Sequence, residues 1–490
     1  MQKLLALFIL LIMWMSCTKE DFTTDPGDRL SFSADTISFD TVFTTLGSAT
    51  HLIKIYNTHS KSIEISSIQI KSGVNSKFRI NVDGLAGEKF EHVQIRAKDS
   101  IYLFCEVTVD PDQNVSESPF VITDEIVFIT NNNSQSVVLE AWGQNANYFP
   151  AKSNKGMVYE LDLQGKELIW NDPKPYILYG IVLVKNGTLR IGAGSKIHVY
   201  GGITKYQDSL GKAFYYNDGR LIIGSDARIL AEGTFDRPIV FQGVRLEEEY
   251  RTVSGQWSTI SIAGESAGNL FRNVKILNNQ IGLTIDSLAS CDLINCTIAN
   301  NSSYGLYCNA GVVYGENCLF HSQGQNSLVV ETGGSVSFQY STFANFGNTE
   351  SALFLSNFRC QDPTDCKFPI IGELNAEFNN CIFSGGDRDE FIFKKNESVG
   401  YFIHFRNCFM KLNDPVIAKL DEFKASYTQD CIFSSQLDHL FKDISKADFH
   451  LDTLSQVEGK AVPISGIDKD LDNQLRDSDK PDIGCFEYID

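Results

Sequence analysis

Polar and apolar residues alternate along the first third of the chain. "LSFSADTISFDTVFTT", from Leu30, reads in period two, the mark of a half-buried strand. "HLIKIYN", "SIEISSIQI", "KFRINVDG", "SIYLFCEVTVD", "DEIVFITNN" and "SVVLEAWG" repeat the pattern between Asn, Asp, Gly and Ser turns. Seven or so such runs predict a β-sandwich over residues 28–148. Cys105 falls inside one apolar run and is expected to be a small core residue.

From about residue 149 the pattern becomes a repeat. "NGTLRIGAGSKIHV" is echoed by "DGRLIIGSDARILAEG", with Gly187 and Gly219 32 residues apart. Asn-Cys followed by apolar residues then recurs. Aligning Val274, Cys296, Cys318, Ser341, Cys381, Cys408 and Cys431 gives spacings of 22, 22, 23, 40, 27 and 23. A unit near 22 residues, built of three short β-type runs such as "YGLYC", "GVVYG" and "CLF", predicts a β-solenoid. The spacing of 40 is one coil plus an inserted loop at 356–372.

Side chains alternate along a strand, so one inward position sets the rest. The cysteine column and the large apolar column two residues later (Ile276, Ile298, Phe320, Phe343, Phe383, Met410, Phe433) read as inward. The residue before the cysteine is Asn295, Asn317, Asn380, Asn407 or Asp430, which predicts an amide ladder at a corner. One outward column runs Lys275, Thr297, Leu319, Thr342, Ile382, Phe409, Ile432. It turns apolar toward the C-terminus and must be covered by a loop, a domain or a partner, of which an intramolecular cover is favoured. A second, four before the cysteine, runs Asp292, Tyr314, Ser337, Glu377, His404, Tyr427. A third carries Thr284, Tyr307, Val329 and Phe354.

The N-terminus and the composition narrow the setting. Lys3 followed by the apolar run Leu4 to Met15 reads as a signal peptide, too short to span a bilayer. It ends in Trp14-Met15-Ser16-Cys17, which resembles a lipobox whose Cys17 becomes diacylated. The alternative is a plain signal peptide with an incidental cysteine. On the first reading 1–16 is the signal, 17–27 a tether, and the protein is held to a membrane by lipid. The chain has 490 residues, too many for one ordinary core, and 61 acidic against 42 basic residues, a net charge of −19. That charge argues against a nucleic-acid partner.

Several stretches resemble a known architecture. Lys19-Glu20-Asp21 after Cys17 resembles the acidic export signal of Bacteroidota surface lipoproteins. Phe39-Asp40-Thr41-Val42-Phe43 and Ala141-Trp142-Gly143-Gln144 resemble Ig-like domains of the ASPM/SPD-2/Hydin type. "YGIVLVKNGTLRIGAGSKIHV", "FDRPIVFQG" and the terminal "PDIGCFEYI" look like right-handed parallel β-helix lipoproteins. The resemblance implies an all-β protein, an Ig-like sandwich followed over 149–490 by a single-stranded right-handed parallel β-helix. It also implies an outer-membrane, surface-exposed location.

The candidate chemistry is sparse. Stacked cysteines lack zinc-type spacing, and parallel Cβ vectors disfavour disulfides along the column, so they are expected to be core thiols. Cys360 and Cys366, in the inserted loop, are a candidate bridge. Asp468, Asp470 and Asp472 begin like a calcium loop, but Asn473 replaces its glycine, and a turn into the last strand is the favoured reading. No other metal or cofactor is implied. Asp292, Tyr314, Glu377, His404 and Tyr427 on one rigid face suit a polysaccharide, through ring stacking and polar tips, or form an ordinary solvated face. No single outward column repeats Asp or Glu on adjacent coils, which favours a non-catalytic glycan- or surface-binding module. A polysaccharide lyase or glycoside hydrolase of the β-helix fold is the alternative, and a purely structural or adhesive surface protein the third reading.

Overall fold

The computed structural model describes residues 21–489 except 44–45, 49, 110–119, 151–155, 208–211, 348–349, 362–365, 413–419, 436 and 438. The signal segment and Cys17 lie outside the described residues. Among the described residues no helix is long and apolar enough to cross a membrane. The chain divides into two compact units between Asn145 and Ala146.

The first unit has two five-stranded sheets. Strands such as Ile63–Ile70 and Ser100–Val107 alternate buried and open positions, as their sequences predict. Their inward residues form one core with Phe39, Ile55, Ile65, Leu103, Phe128 and Leu139. Cys105 lies in it, and burial pushes its thiol up to about 12. The two motifs singled out in the sequence are sheet neighbours: Ala141 pairs with Phe39 and Gly143 with Val42. Within the stretch read as tether, Phe22 bridges to Ser62, and the Thr23 amide donates to the Ser62 carbonyl at 2.9 Å.

The second unit is a parallel β-helix. Eleven strands, from Asn147–Phe149 to Ile432–Ser434, pair in parallel as one face. Seventeen more form two further parallel faces that share the long strands Val158–Trp170 and Ile181–Gly192. One coil therefore runs Leu306–Asn309, Val312–Glu316, Leu319–Gln323. The eleven-stranded face is called A here, the face through Leu306–Asn309 B, and the face through Val312–Glu316 C. The register agrees with the aligned columns from Lys275 to Ile432. Ser337 pairs directly with Glu377, so the 40-residue spacing is one coil carrying an insertion. The early echo is offset. Gly187 pairs with Ala227, not Gly219, because Ile181–Gly192 runs unbroken across a corner and meets two strands of the next coil.

Inside, aromatic rings stack along the axis. Phe320, Phe343 and Phe383 stack at successive centroid spacings of 4.9 Å with nearly parallel planes, and a second file of Phe338, Phe378 and Phe405 meets them edge-on.

The Asn-Cys corner now has a physical cause. Asn273, Asn295, Asn317, Asn380, Asn407 and Asp430 all have φ between 48° and 55°, the left-handed region that Asn and Asp tolerate best. Asn317 Nδ2 donates to Asn295 Oδ1 at 3.0 Å, and Asn295 to Asn273 at 3.4 Å, the expected ladder. The thiol that follows tidies the corner. Cys318 Sγ donates to the carbonyls of Glu316 and of Leu293 one coil back, at 3.4 and 3.3 Å. Cys296, Cys381, Cys408 and Cys431 repeat that geometry, and Ser341 substitutes a hydroxyl. Cys360 and Cys366 are bonded to each other in the inserted loop.

Face A is covered by the chain's own last segment. Leu440, Phe441, Phe449, Leu451, Val457 and Ile483 pack on Leu319, Ile382 and Phe409 as a second core. "PDIGCFEY" is the clasp of that cover. Gly484 has φ 103°, and a Cβ there would lie 2.6 Å from Ile382, so only glycine fits. The Gly484 amide donates to Asn380 O at 2.9 Å, and the Cys485 amide to Thr342 Oγ1 at 3.0 Å.

One buried ion pair sits where faces A and B meet. Glu390 is fully buried, accepts the Ala352 amide at 2.9 Å and lies 3.7 Å from Lys411 Nζ. Burial raises its carboxyl to about 7, against the opposing pull of the Ala352 amide and Lys411. A raised carboxyl binds more protons folded than unfolded. Its contribution is therefore complete below the unfolded value near 4.3 and is lost as pH rises through about 7. Buried His198 and half-buried His321, lowered to about 4, act with the opposite sign below pH 6.5. The difference between wild type and Glu390→Gln isolates the carboxylate: it is expected to change by about 2–3 kcal/mol between pH 4.5 and 7.5 in urea titrations. A flat difference would show that Glu390 ionises normally.

Candidate functional site

Strands of face C place the second outward column on consecutive rungs. Asp292 pairs with Tyr314, Tyr314 with Ser337, Ser337 with Glu377, and Glu377 with His404. Four rung spacings of about 4.8 Å make this a straight line of roughly 19 Å. Tyr427 does not join it. The ladder resumes only at Thr428. Tyr427 ends the helix Leu420–Tyr427, its ring 5.5 Å from Phe423 and 6.1 Å from Phe393, at the end of the coil interior. The sequence has no mark for that helix, because a solenoid's terminal coil is capped by whatever apolar segment follows it.

Two grooves open along face C. One is lined by Ser335, Ser337, Asn375, Glu377, Phe402 and His404. Phe402 is 51% exposed, a large ring left in solvent beside an amide, a carboxylate and an imidazole. The other is lined by Tyr314, Gln339, Asn379, Arg406, Val462 and Ile464, between the face and the closing segment. It reveals a further outward column, Glu316, Gln339, Asn379, Arg406, two residues beyond the first and in register with it. Sequence reasoning passed over this column, which lies two residues nearer the corner than the first. The corner asparagine immediately following was the available signal.

The acidic end of the face is the less polar one. Tyr314 Oη donates to Glu316 Oε2 at 3.2 Å. Burial pushes the Tyr314 hydroxyl up to about 12, and the Glu316 and Asp292 carboxyls above their ordinary range. Arg272 pulls both carboxyls back down. The third column is largely closed: Thr284 and Val329 are buried, and Tyr307 gives its hydroxyl to Glu331 at 2.6 Å.

The aspartates of the calcium-like stretch face different partners. Asp470 accepts the amides of Gln474 and Glu487, both at 2.8 Å. Asp472 bonds His450 Nε2 at 2.8 Å, while Asp468 is exposed. The stretch is a turn, closed by Asp470 N to Gln474 O and by Arg476 N to Asp468 O. Among the described residues no group of three or more His, Cys, Asp or Glu side chains is placed to hold a metal.

No protein-family model matches the chain, and no curated protein matches it. Among solved structures, the catalytic domain of a GH87 α-1,3-glucanase in complex with tetrasaccharides is similar at 11% identity. That match covers 73% of this chain and 81% of the other, with a TM-score of 0.19. A family 123 glycoside hydrolase from Clostridium perfringens is similar at 9% identity, over 40% of this chain and 48% of that one, with a TM-score of 0.19. The human CEP192 PapD-like domain is similar at 8% identity, over 27% of this chain and 97% of that one, with a TM-score of 0.18. A protein of unknown function from Porphyromonas gingivalis W83 is similar at 13% identity, over 28% of this chain and 59% of that one, also at 0.18. The chain thus spans about half of the first two structures it matches.

Proposed function

We propose that the chain is a lipid-anchored surface protein of the outer membrane that binds an extended, neutral polysaccharide along face C. One observation carries this reading: two parallel columns of hydrogen-bonding side chains, in register over successive rungs, lie beside the exposed ring of Phe402. A linear sugar polymer offers the matching repeat, hydroxyls for the polar tips and a ring face for the aromatic. The net charge of −19 disfavours a polyanion. The apolar run Leu4 to Met15 before Cys17 supports membrane attachment.

On a glycan array the protein is expected to bind an unbranched neutral glycan, with affinity rising with chain length. Glu377→Ala and Phe402→Ala should each weaken binding about tenfold, roughly one hydrogen bond or one stacked ring. Wild-type affinity in both variants, or no binding to any neutral polymer, would sink the reading in favour of an adhesive protein that recognises another protein.

A further inference from the structure

The groove between face C and the closing segment has a volume of about 420 Å³, within the range of sites that hold small molecules. Arg406 lies in it, half-buried. Arg190, Arg245 and Arg476 each hold a carboxylate. Among the described residues the Arg406 guanidinium has neither an ion pair nor a hydrogen bond. Asn379, its neighbour on the preceding rung, likewise has a free side-chain amide among the described residues. Such groups need a partner from solvent or from a ligand. The wall supplied by the closing segment is apolar: Val462 and Ile464 line it, and Val462 is 51% exposed. Its backbone is nevertheless fixed. The Val462 amide donates to Asn380 Oδ1 at 3.1 Å, and its carbonyl accepts Asn380 Nδ2 at 2.8 Å and Tyr340 Oη at 2.9 Å. One groove thus joins an aliphatic wall held in place to a guanidinium and an amide with no partner of their own.

We infer that this groove receives the acetamido groups of the glycan held on face C, so that the ligand is a linear N-acetylhexosamine polymer. The inference rests on the binding reading above. An acetamido group carries one carbonyl acceptor, one N–H donor and one methyl, with no net charge. Arg406 donates to the carbonyl, the Asn379 side-chain oxygen accepts the N–H, and Val462 with Ile464 covers the methyl. A bare hydroxyl would use the polar groups and leave the apolar wall in water. A carboxylate would pair with Arg406 more strongly, but it would meet the same apolar wall. It would also approach Glu377, which stands two residues before Asn379 on the same strand. The net charge of −19 adds to that repulsion. Gln339, on the rung before Asn379, extends the line of amides. Its Nε2 donates to Ser337 Oγ at 3.2 Å, which leaves its oxygen for a further N–H.

The test measures binding of the full chain to linear oligomers of N-acetylhexosamines, of the parent hexoses and of hexuronic acids, matched in length and linkage. Wild type should prefer the acetylated oligomers to the parent ones by at least about tenfold. Arg406→Ala should cut that preference to about twofold or less, and Arg406→Gln, which keeps a planar donor, should retain part of it. Val462→Ser leaves the backbone contacts in place and should cut the preference about three- to tenfold. Glu377→Ala, in the other groove, should weaken both kinds of oligomer alike and leave the preference standing. Equal affinity for acetylated and parent oligomers overturns the proposal and leaves the binding reading intact. A preference that survives both Arg406→Ala and Val462→Ser overturns the assignment to this groove. Preference for the uronate oligomers, lost in Arg406→Ala, overturns it in favour of an anion on the guanidinium. Absence of binding to every oligomer removes both readings.

Discussion

Arg476→Ala is expected to cost about 3–5 kcal/mol and to loosen the closing segment from face A. The guanidinium is almost wholly enclosed, with 2% of its side chain exposed. It donates to Asn317 Oδ1 at 2.9 Å, to Gly484 O at 3.0 Å and to Glu487 at 3.2 Å, and lies 4.0 Å over the Tyr340 ring. It thus ties the clasp directly to the corner amide of one coil and the corner ring of the next. Removing it leaves the Glu487 carboxylate buried without its cation, and such an uncompensated charge costs more than the pair gained. Arg476→Lys should recover only part, because an ammonium cannot span three acceptors and a ring in one plane. Urea unfolding gives the free energy, and limited proteolysis between Leu440 and Phe486 reports the release. A loss under 1 kcal/mol with unchanged proteolysis would show that apolar burial alone holds the segment.

Phe343→Ala should lower stability by a similar amount, about 3–5 kcal/mol. Its ring is fully buried, stacked at 4.9 Å on both Phe320 and Phe383, and edge-on to Phe338 at 5.3 Å and Phe378 at 6.2 Å. Neighbouring rungs are themselves held by the coils beyond them, so the cavity cannot collapse. Each coil contacts only its neighbours, so the damage should propagate as loss of cooperativity along the solenoid. Thermal unfolding by circular dichroism would then broaden or split. Phe343→Leu, which keeps most of the volume, should cost about a third as much. Equal losses for the two variants would mean that ring stacking, not volume, is what the column supplies.

The lesson of the candidate face is about diagonals. Read one column at a time, the acid that follows Asp292 is Glu377, three rungs along, beyond Tyr314 and Ser337. Glu316 belongs to another column, two residues on and one coil along, and the pairing of Val312–Glu316 with Ser290–Ile294 sets the two on one diagonal. Tyr427 went the other way. Its spacing from His404 matched the repeat, yet the chain had already left the sheet for the capping helix, where burying Phe423 against the last coil outweighed continuing the strand.

The amino-acid sequence alone determined the repeat and its register. A coil closes only if a left-handed corner recurs at constant spacing, so Asn295, Asn317, Asn380 and Asn407 announce each turn locally. Period-two alternation around them then decides which side chains face inward. The tertiary structure alone decided what lies over the outside of the coil. The cover of Ile382 and Phe409 by residues about a hundred positions away and the commitment of Asp470 to the Glu487 amide depend on contacts between segments outside the repeat. Such contacts leave no local period, because their energy comes from burial and pairing that exist only once both partners have folded.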